Sequence, residues 1–301
     1  MSRVINFMGI RNIAFAITVV VTFIALGSLA LKGLNFGLDF TGGTQIELAY
    51  EQPADLGKIR QQLAGANYGD AVVQSFGATT EVVVRMQGDD PELGNKVATV
   101  LQQSGDRLQV KKVEFVGPQV GEELRDQGGL GMLLALGGVM LYLAFRFQWK
   151  FSMGAFVSLV HDVIVTLGVL SFFQITFDLT VLAALLAIIG YSLNDTIVVF
   201  DRVRENFRVL RKADLIENIN ISTTQTLLRT LATSISTLLA IGALLVFAGD
   251  NLFGFAFALF VGVLVGTYSS IYISNVVLIW LNLTVEDLIP PVATEEVDER
   301  P

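Results

Sequence analysis

Long apolar runs alternate with stretches of mixed polarity along the chain, and the spacing of polar residues sets the elements each can form. Apolar runs of close to twenty residues fall at about 13–33, 129–147, 153–173, 180–200, 227–248 and 254–282. A helix of that length crosses the roughly 30 Å of bilayer hydrocarbon, so six membrane spans are predicted. The last run is long for one crossing, which tilt or overhang accommodates. The small residues "GSLA" (27–30) could mark a cleavage site. The run before them is longer than a signal-peptide core, so the first span reads as an uncleaved anchor.

Between the first two runs, over 34–128, the pattern becomes that of a soluble domain. "TQIELAY" (44–50) alternates like a strand, 53–65 has helical periodicity, and "AVVQSF" (71–76) and "TEVVVRM" (80–86) are strands joined by the short turn "GAT". "DPELGNKVATVLQQ" opens with Asp90 and Pro91, a good helix cap and first position, and "LQVKKVEFV" (108–116) is a last strand. The order β-α-β-β-α-β is the ferredoxin-like motif. Gly128 and Gly129 mark the expected re-entry into the membrane. No catalytic constellation stands out in this domain, which suits a partner-contacting or gating module. The stretch "NFGLDFTGGTQIEL" (35–48) leads into it. Gly37, Gly42 and Gly43 there can take backbone conformations closed to other residues. With Asp39 they form either a tight connection or a hinge between span and domain.

Composition agrees with a membrane protein: 52% of the 301 residues are hydrophobic and 16% charged, where soluble chains carry about 25% charge. There is no cysteine and one histidine, which excludes a disulfide framework, a thiolate metal site and a multi-histidine centre. The net charge of −8 argues against nucleic-acid binding. No P-loop signature implies ATP use. Basic residues cluster on one side: Arg3 and Arg11, then Arg146 and Lys150, then Arg202, Arg204, Arg208, Arg211 and Lys212 in a loop at 201–226. The opposite turns hold Asp178 and Asp250 and no base. The positive-inside rule then makes the basic side cytoplasmic. The expected organisation is a cytoplasmic amino terminus and first span (1–33), an outside domain (34–128), a five-span bundle (129–282) and an acidic cytoplasmic tail (283–301).

Within "AALLAIIGYSLNDTIVVF" (183–200), Asp195 lies in a membrane span between Asn194 and Thr196. A charge at the centre of such a helix costs roughly 2.5–3.5 kcal/mol even on the insertion scale. The fourth and fifth spans form a hairpin centred near residue 212, which puts Arg229 level with Asp195. Tyr191 and Ser192 fall on the face of Asp195, and Thr226, Arg229, Thr230, Thr233 and Thr237 form one polar stripe. His161 and Asp162 interrupt the third span. Interhelical hydrogen bonds return only about 0.6 kcal/mol on average, too little to offset a buried carboxylate. Burial favours the neutral form of a carboxyl group and a nearby guanidinium the ionised form. Such a pair can trade a proton as helices move or water enters. Asp195 and Arg229 are therefore the proton-pathway candidates; Asn194, Thr196, Tyr191, His161, Asp162 and Thr233 serve that path or packing. In the sixth span Gly262, Gly266, Ser270 and Ser274 form a small-residue stripe for close packing, within this chain or against another.

The motifs "FGLDFTGG", "VEFVGPQVGEEL" (113–124), "HD" and "GYSLNDTIVVFDRVREN" (190–206) together make the chain resemble the SecD/SecF family of bacterial protein-export proteins, on its smaller, SecF-type side, over essentially its whole length. The resemblance implies one six-helix half of the kind found in the related resistance-nodulation-division (RND) exporters, with SecD completing a twelve-helix unit. It implies association with the SecYEG channel, with YajC and YidC, and with the translocating preprotein, in the bacterial inner membrane. Both termini would be cytoplasmic and the inserted domain periplasmic. It implies a transport subunit rather than an enzyme, with protons and no bound cofactor. The proton-motive force would promote preprotein translocation after or alongside the SecA-driven steps. Asp195 matches the family's proton-pathway aspartate and Arg229 its partner arginine. Two rival readings are a purely structural partner of SecD and half of an RND-type small-molecule exporter.

Overall fold

A computed structural model describes residues 4–76, 78–88, 90, 92–103, 107–210, 214–247, 249–284 and 287. Arg3, Gly77, Pro91, Arg211, Lys212 and the acidic tail from 288 onward, all used in the sequence reading, lie outside the described residues. The chain begins with α1 (Arg11–Lys32), β1 (Asn35–Phe36) and the one-turn α2 (Leu38–Thr41). The inserted domain follows: β2 (Gly43–Tyr50), α3 (Leu56–Gly65), β3 (Val72–Phe76), β4 (Ala78–Met86), α4 (Leu93–Gln103) and β5 (Leu108–Val116). The remainder is α5 (Pro118–Arg146), α6 (Trp149–Phe173), β6 (Thr176–Phe177), α7 (Leu179–Val209), α8 (Leu215–Phe247), α9 (Asp250–Ile271) and α10 (Ile273–Trp280). Six helical segments among the described residues are long and apolar enough to cross a membrane, α9 and α10 counting as one. This is the polytopic helical fold with an inserted α/β domain that the sequence predicts.

The domain's four strands pair antiparallel in the order β3-β4-β2-β5, the ferredoxin-like arrangement. Alternation along the strands decides its faces. Ile46, Leu48, Val82 and Val84 point to one side and form a core with Ile59 and Leu63 of α3 and Val97 and Leu101 of α4. Gln45, Glu47, Val83 and Arg85 point to the other, toward the bundle. Helix α3 starts three residues later than Pro53 suggested, because Asp55 caps it by accepting from Gly57 N at 2.8 Å and Lys58 N at 3.1 Å.

The membrane-spanning helices also differ from the sequence reading. Helix α5 begins at Pro118, capped by Gly117, so the domain ends about ten residues earlier than 128. Gly128 and Gly129 lie inside this helix, where a Cβ on Gly128 would come within 2.8 Å of Leu182 on α7. Within the supposed loop 201–226, residues 201–209 and 215–226 are helical. Val203, Phe207 and Ile219 keep helical spacing there and pack into a core with Phe147, Phe151 and Phe200, so both helices overhang the apolar runs. The helix of the last span is interrupted at Tyr272, where Ser274 Oγ donates to Ser270 O at 2.8 Å and Asn275 Nδ2 to Ile271 O at 2.9 Å. Such side-chain bonding to the preceding turn competes with the backbone ladder.

Helices α6 and α7 are the most buried spans. The small-residue stripe of the last span packs within this chain. A Cβ on Gly262 would sit 2.3 Å from Ile188, and one on Gly266 would sit 3.0 Å from Ser192, both on α7. A second aromatic cluster, with Phe40, Phe177, Val181 and Leu185, fills the end of the bundle next to the domain.

Candidate functional site

Asp195 projects from the middle of α7 into the bundle with 3% of its surface exposed. It makes no hydrogen bond to any described residue, and its Oδ2 is fully enclosed. A buried acceptor left unpaired costs about 1–3 kcal/mol, more when charged. Arg229 acts on it electrostatically from α8, but the two do not meet within the 4.0 Å of an ion pair. The hairpin register that levels them is visible in a neighbouring contact. Tyr191 OH donates to Ser234 Oγ at 3.4 Å, a pairing centred within one residue of that between 195 and 229. Ser234 continues to Thr267 Oγ1 on α9 at 2.7 Å.

The surroundings of Asp195 divide into a sheltered and an open side. Thr196 on α7, and Thr226, Thr230 and Ser234 on α8, are buried. Thr233 is half-buried and bonds to Thr230 O at 2.9 Å and Arg229 O at 3.1 Å. Thr230 Oγ1, like Asp195 Oδ2, is enclosed without a partner. Asn194 and Arg229 instead face the outside of this chain. Two polar side chains at membrane depth thus lie on a surface that no described residue covers.

Asp162 on α6 has the opposite character. It is 1% exposed, yet accepts from Ser192 Oγ on α7 at 2.5 Å and from Ser269 Oγ on α9 at 2.7 Å. His161 Nδ1 lies 3.1 Å from its other oxygen. The carboxylate therefore clamps three helices together. His161 Nε2 is enclosed without a partner and borders a cavity of about 250 Å³ between α1, α6 and α10. The sequence reading did not foresee the clamp. Spacing pairs Ser192 with Asp195, and Ser269 belongs to no stripe. Asn206, which donates to Ser222 Oγ at 2.8 Å across the α7–α8 hairpin, was also missed. Among the described residues no three His, Cys, Asp or Glu side chains converge as a metal site would require.

At the domain end, residues 35–43 form a packed junction. β1 pairs in parallel with β6 in the α6–α7 turn. Gly37 N donates to Phe177 O at 2.7 Å, and Asp39 Oδ2 accepts the Leu179 N–H at 3.0 Å at the start of α7. Asp178 caps the same helix through Val181 N at 2.9 Å. Two carboxylates at a helix N-terminus complement its dipole. Gly42 (φ 65°) and Gly43 (φ 107°) take left-handed backbone conformations. A Cβ on Gly42 would approach Pro118 to 2.8 Å, and one on Gly43 would lie 2.3 Å from Met86 O. Arg85 bridges from β4 to the α6–α7 turn, donating to Thr176 Oγ1 at 3.0 Å. Burial lowers the pKa of its guanidinium and Asp178 works against that.

Comparison with known proteins covers both regions. The family described as "Protein export membrane protein SecD/SecF, C-terminal" matches residues 96–284, and the "SecD/SecF GG Motif" matches 27–54. A protein translocase subunit SecF from Pseudomonas aeruginosa is 76% identical over 99% of this chain and 98% of its own length. One from Vibrio alginolyticus is 46% identical, again over 99% and 98%. Among solved structures, a translocon-associated membrane protein, SecDF, from Thermus superposes with a TM-score of 0.86 at 38% identity. SecDF in a super-membrane-facing form gives 0.70 at 39% identity. Each comparison covers 94% of this chain and 39% of the SecDF chain.

Proposed function

This chain belongs to the SecD/SecF family of protein-export membrane proteins, and from that premise we propose that it is a SecF-type translocase subunit that couples proton flow to preprotein export through Asp195 and Arg229. It works as half of a larger unit. The SecDF chain holds a region like this one within 39% of its length, and the uncovered face bearing Asn194 and Arg229 suits a SecD partner. The domain at 34–117 stands in the periplasm, the termini lie in the cytoplasm, and the membrane is the bacterial inner membrane. The basic residues Arg11, Arg146, Lys150 and Arg202 favour this orientation. The unit operates beside SecYEG, with YajC and YidC as accessory partners, and acts on the preprotein after or alongside SecA-driven steps. Protons are the coupling ion.

The observation that carries the proton reading is the enclosed, unbonded Oδ2 of Asp195 within electrostatic reach of Arg229. No hydrogen bond fixes either protonation state. Water access and the distance to the guanidinium are left to set it. A charge crossing the membrane potential is worth about 2.3 kcal/mol per 100 mV, ample to drive a change in helix packing.

Translocation into membrane vesicles tests this. Asp195→Asn and Arg229→Gln are expected to keep SecD co-purification and to lose stimulation by the proton-motive force. Normal stimulation in Asp195→Asn would sink the proton role. Loss of stimulation in step with loss of complex would favour a purely structural subunit. Unchanged small-molecule accumulation in a deletion strain would exclude an exporter of the related class.

A further inference from the structure

The sheet face of the inserted domain that carries no helix looks onto the bundle across a polar cleft of about 550 Å³. Arg85 spans that cleft. Its Nε donates to Gln45 Oε1 on β2 at 2.9 Å, which fixes the guanidinium plane against the sheet. Its Nη2 donates to Thr176 Oγ1 in the α6–α7 turn at 3.0 Å. Thr176 lies two residues before Asp178, the cap of α7, and Asp178 attracts the guanidinium electrostatically. The side chain therefore reaches from a rigid sheet to the anchored end of the helix that carries Asp195.

The other directional contacts at the junction, Gly37 N to Phe177 O and Asp39 Oδ2 to Leu179 N, come from the connecting segment 35–42 and not from the sheet. Gly42 packs against the backbone of Pro118 at the start of α5, and the short β1–β6 pair holds the chain beside the turn. These bring the domain close to the bundle. Arg85 adds a directional, partly buried contact between the two bodies, and a guanidinium fork holds orientation better than apolar packing does.

We propose that Arg85 is a coupling residue. It latches the domain to the N-terminal end of α7, so that a shift of α7 tied to proton exchange at Asp195 is delivered to the domain as a movement. The proposal rests on the proton-pathway reading of Asp195 and goes beyond it by naming the route outward. Helix α7 is unbroken from Leu179 to Val209. At 1.5 Å per residue Asp195 lies about 24 Å from the helix start. Packed helices shift as rigid elements between discrete arrangements, so displacement at Asp195 reappears at the cap. Arg85 does not touch the proton site; it acts as a positioning residue through α7.

The test uses the full SecD-containing complex in vesicles, with three readouts for each variant: complex recovery, the pH-dependent infrared signal of the Asp195 carboxyl group, and export stimulated by the proton-motive force. Arg85→Gln and Thr176→Val remove the latch from either side. Both are expected to keep the complex and the Asp195 signal and to lose stimulation, Arg85→Gln by about tenfold, the loss of one charge-assisted hydrogen bond. The chain has no cysteine, so Arg85→Cys with Thr176→Cys allows a short thiol cross-linker to replace the latch. Stimulation is expected to return on cross-linking, which a merely destabilised domain would not do. Full stimulation in Arg85→Gln, with Asp195→Asn inactive alongside, would overturn the latch and leave the proton reading standing. Loss of the Asp195 signal in the latch variants would overturn it too, by marking Arg85 as part of general stability. Normal stimulation in Asp195→Asn would remove the proton reading and the latch with it.

Discussion

Asp195 and Asp162 sit one helix apart at similar burial, and their bonding separates their tasks. Asp162 is satisfied on both oxygens by His161, Ser192 and Ser269. Removing it strands the Ser192 hydroxyl and an imidazole nitrogen, while Ser269 Oγ keeps Gly266 O at 3.1 Å. Asp162→Ala is therefore expected to lower stability in detergent by about 2 kcal/mol, read as a fall in melting temperature. Asp195 has no bond to lose. Asp195→Asn keeps its shape and removes its charge, so its melting temperature should match or exceed that of the wild type while export falls. An unpaired polar group held at a stability cost is a mark of function rather than architecture. A drop in stability for Asp195→Asn as large as that for Asp162→Ala would show a hidden bond and reverse the distinction.

The elements repeat the lesson at larger scale. Gly43 cannot take a side chain without displacing Met86 O, and its φ of 107° is closed to other residues. Gly43→Ala should cost on the order of 2–3 kcal/mol and loosen the junction, detectable as faster proteolysis between α1 and β2. Rates equal to the wild type would mean the segment already moves freely. The spans, the sheet order and the level of Arg229 with Asp195 were legible because they rest on period and length. Hydrophobic periodicity marks a helix or strand wherever it lies, and the hairpin centre near 212 falls between the end of α7 at Val209 and the start of α8 at Leu215. Contacts between distant helices were not legible. Ser192 and Ser269 reach Asp162 from helices that spacing alone does not orient, and Arg85 reads as one more charged residue on a strand. The start of α5 was missed because residues 118–127 are polar, and a helix that projects beyond the membrane leaves no apolar run to mark it.

Seen whole, the six spans form a bundle with α6 and α7 inside and with α1, α5 and α8 exposing apolar side chains outward. Lipid suits most of that surface. It does not suit Asn194 and Arg229, and the family's second subunit covers them in the arrangement proposed here. Single cysteines placed in this cysteine-free chain at Asn194 and at Leu228, which is 81% exposed on α8, should cross-link to SecD. A cysteine at Leu133 on α5 should label with a lipid-soluble reagent instead. The reverse pattern would put the partner on another face. The proton pathway itself is tested most directly by infrared difference spectroscopy of the reconstituted SecD-containing complex while pH is stepped on one side of the membrane. A carboxyl band that appears and disappears with pH in the wild type and is absent from Asp195→Asn is the predicted result. A band unchanged by Asp195→Asn, or no titrating carboxyl band at all, would contradict a proton pathway through Asp195.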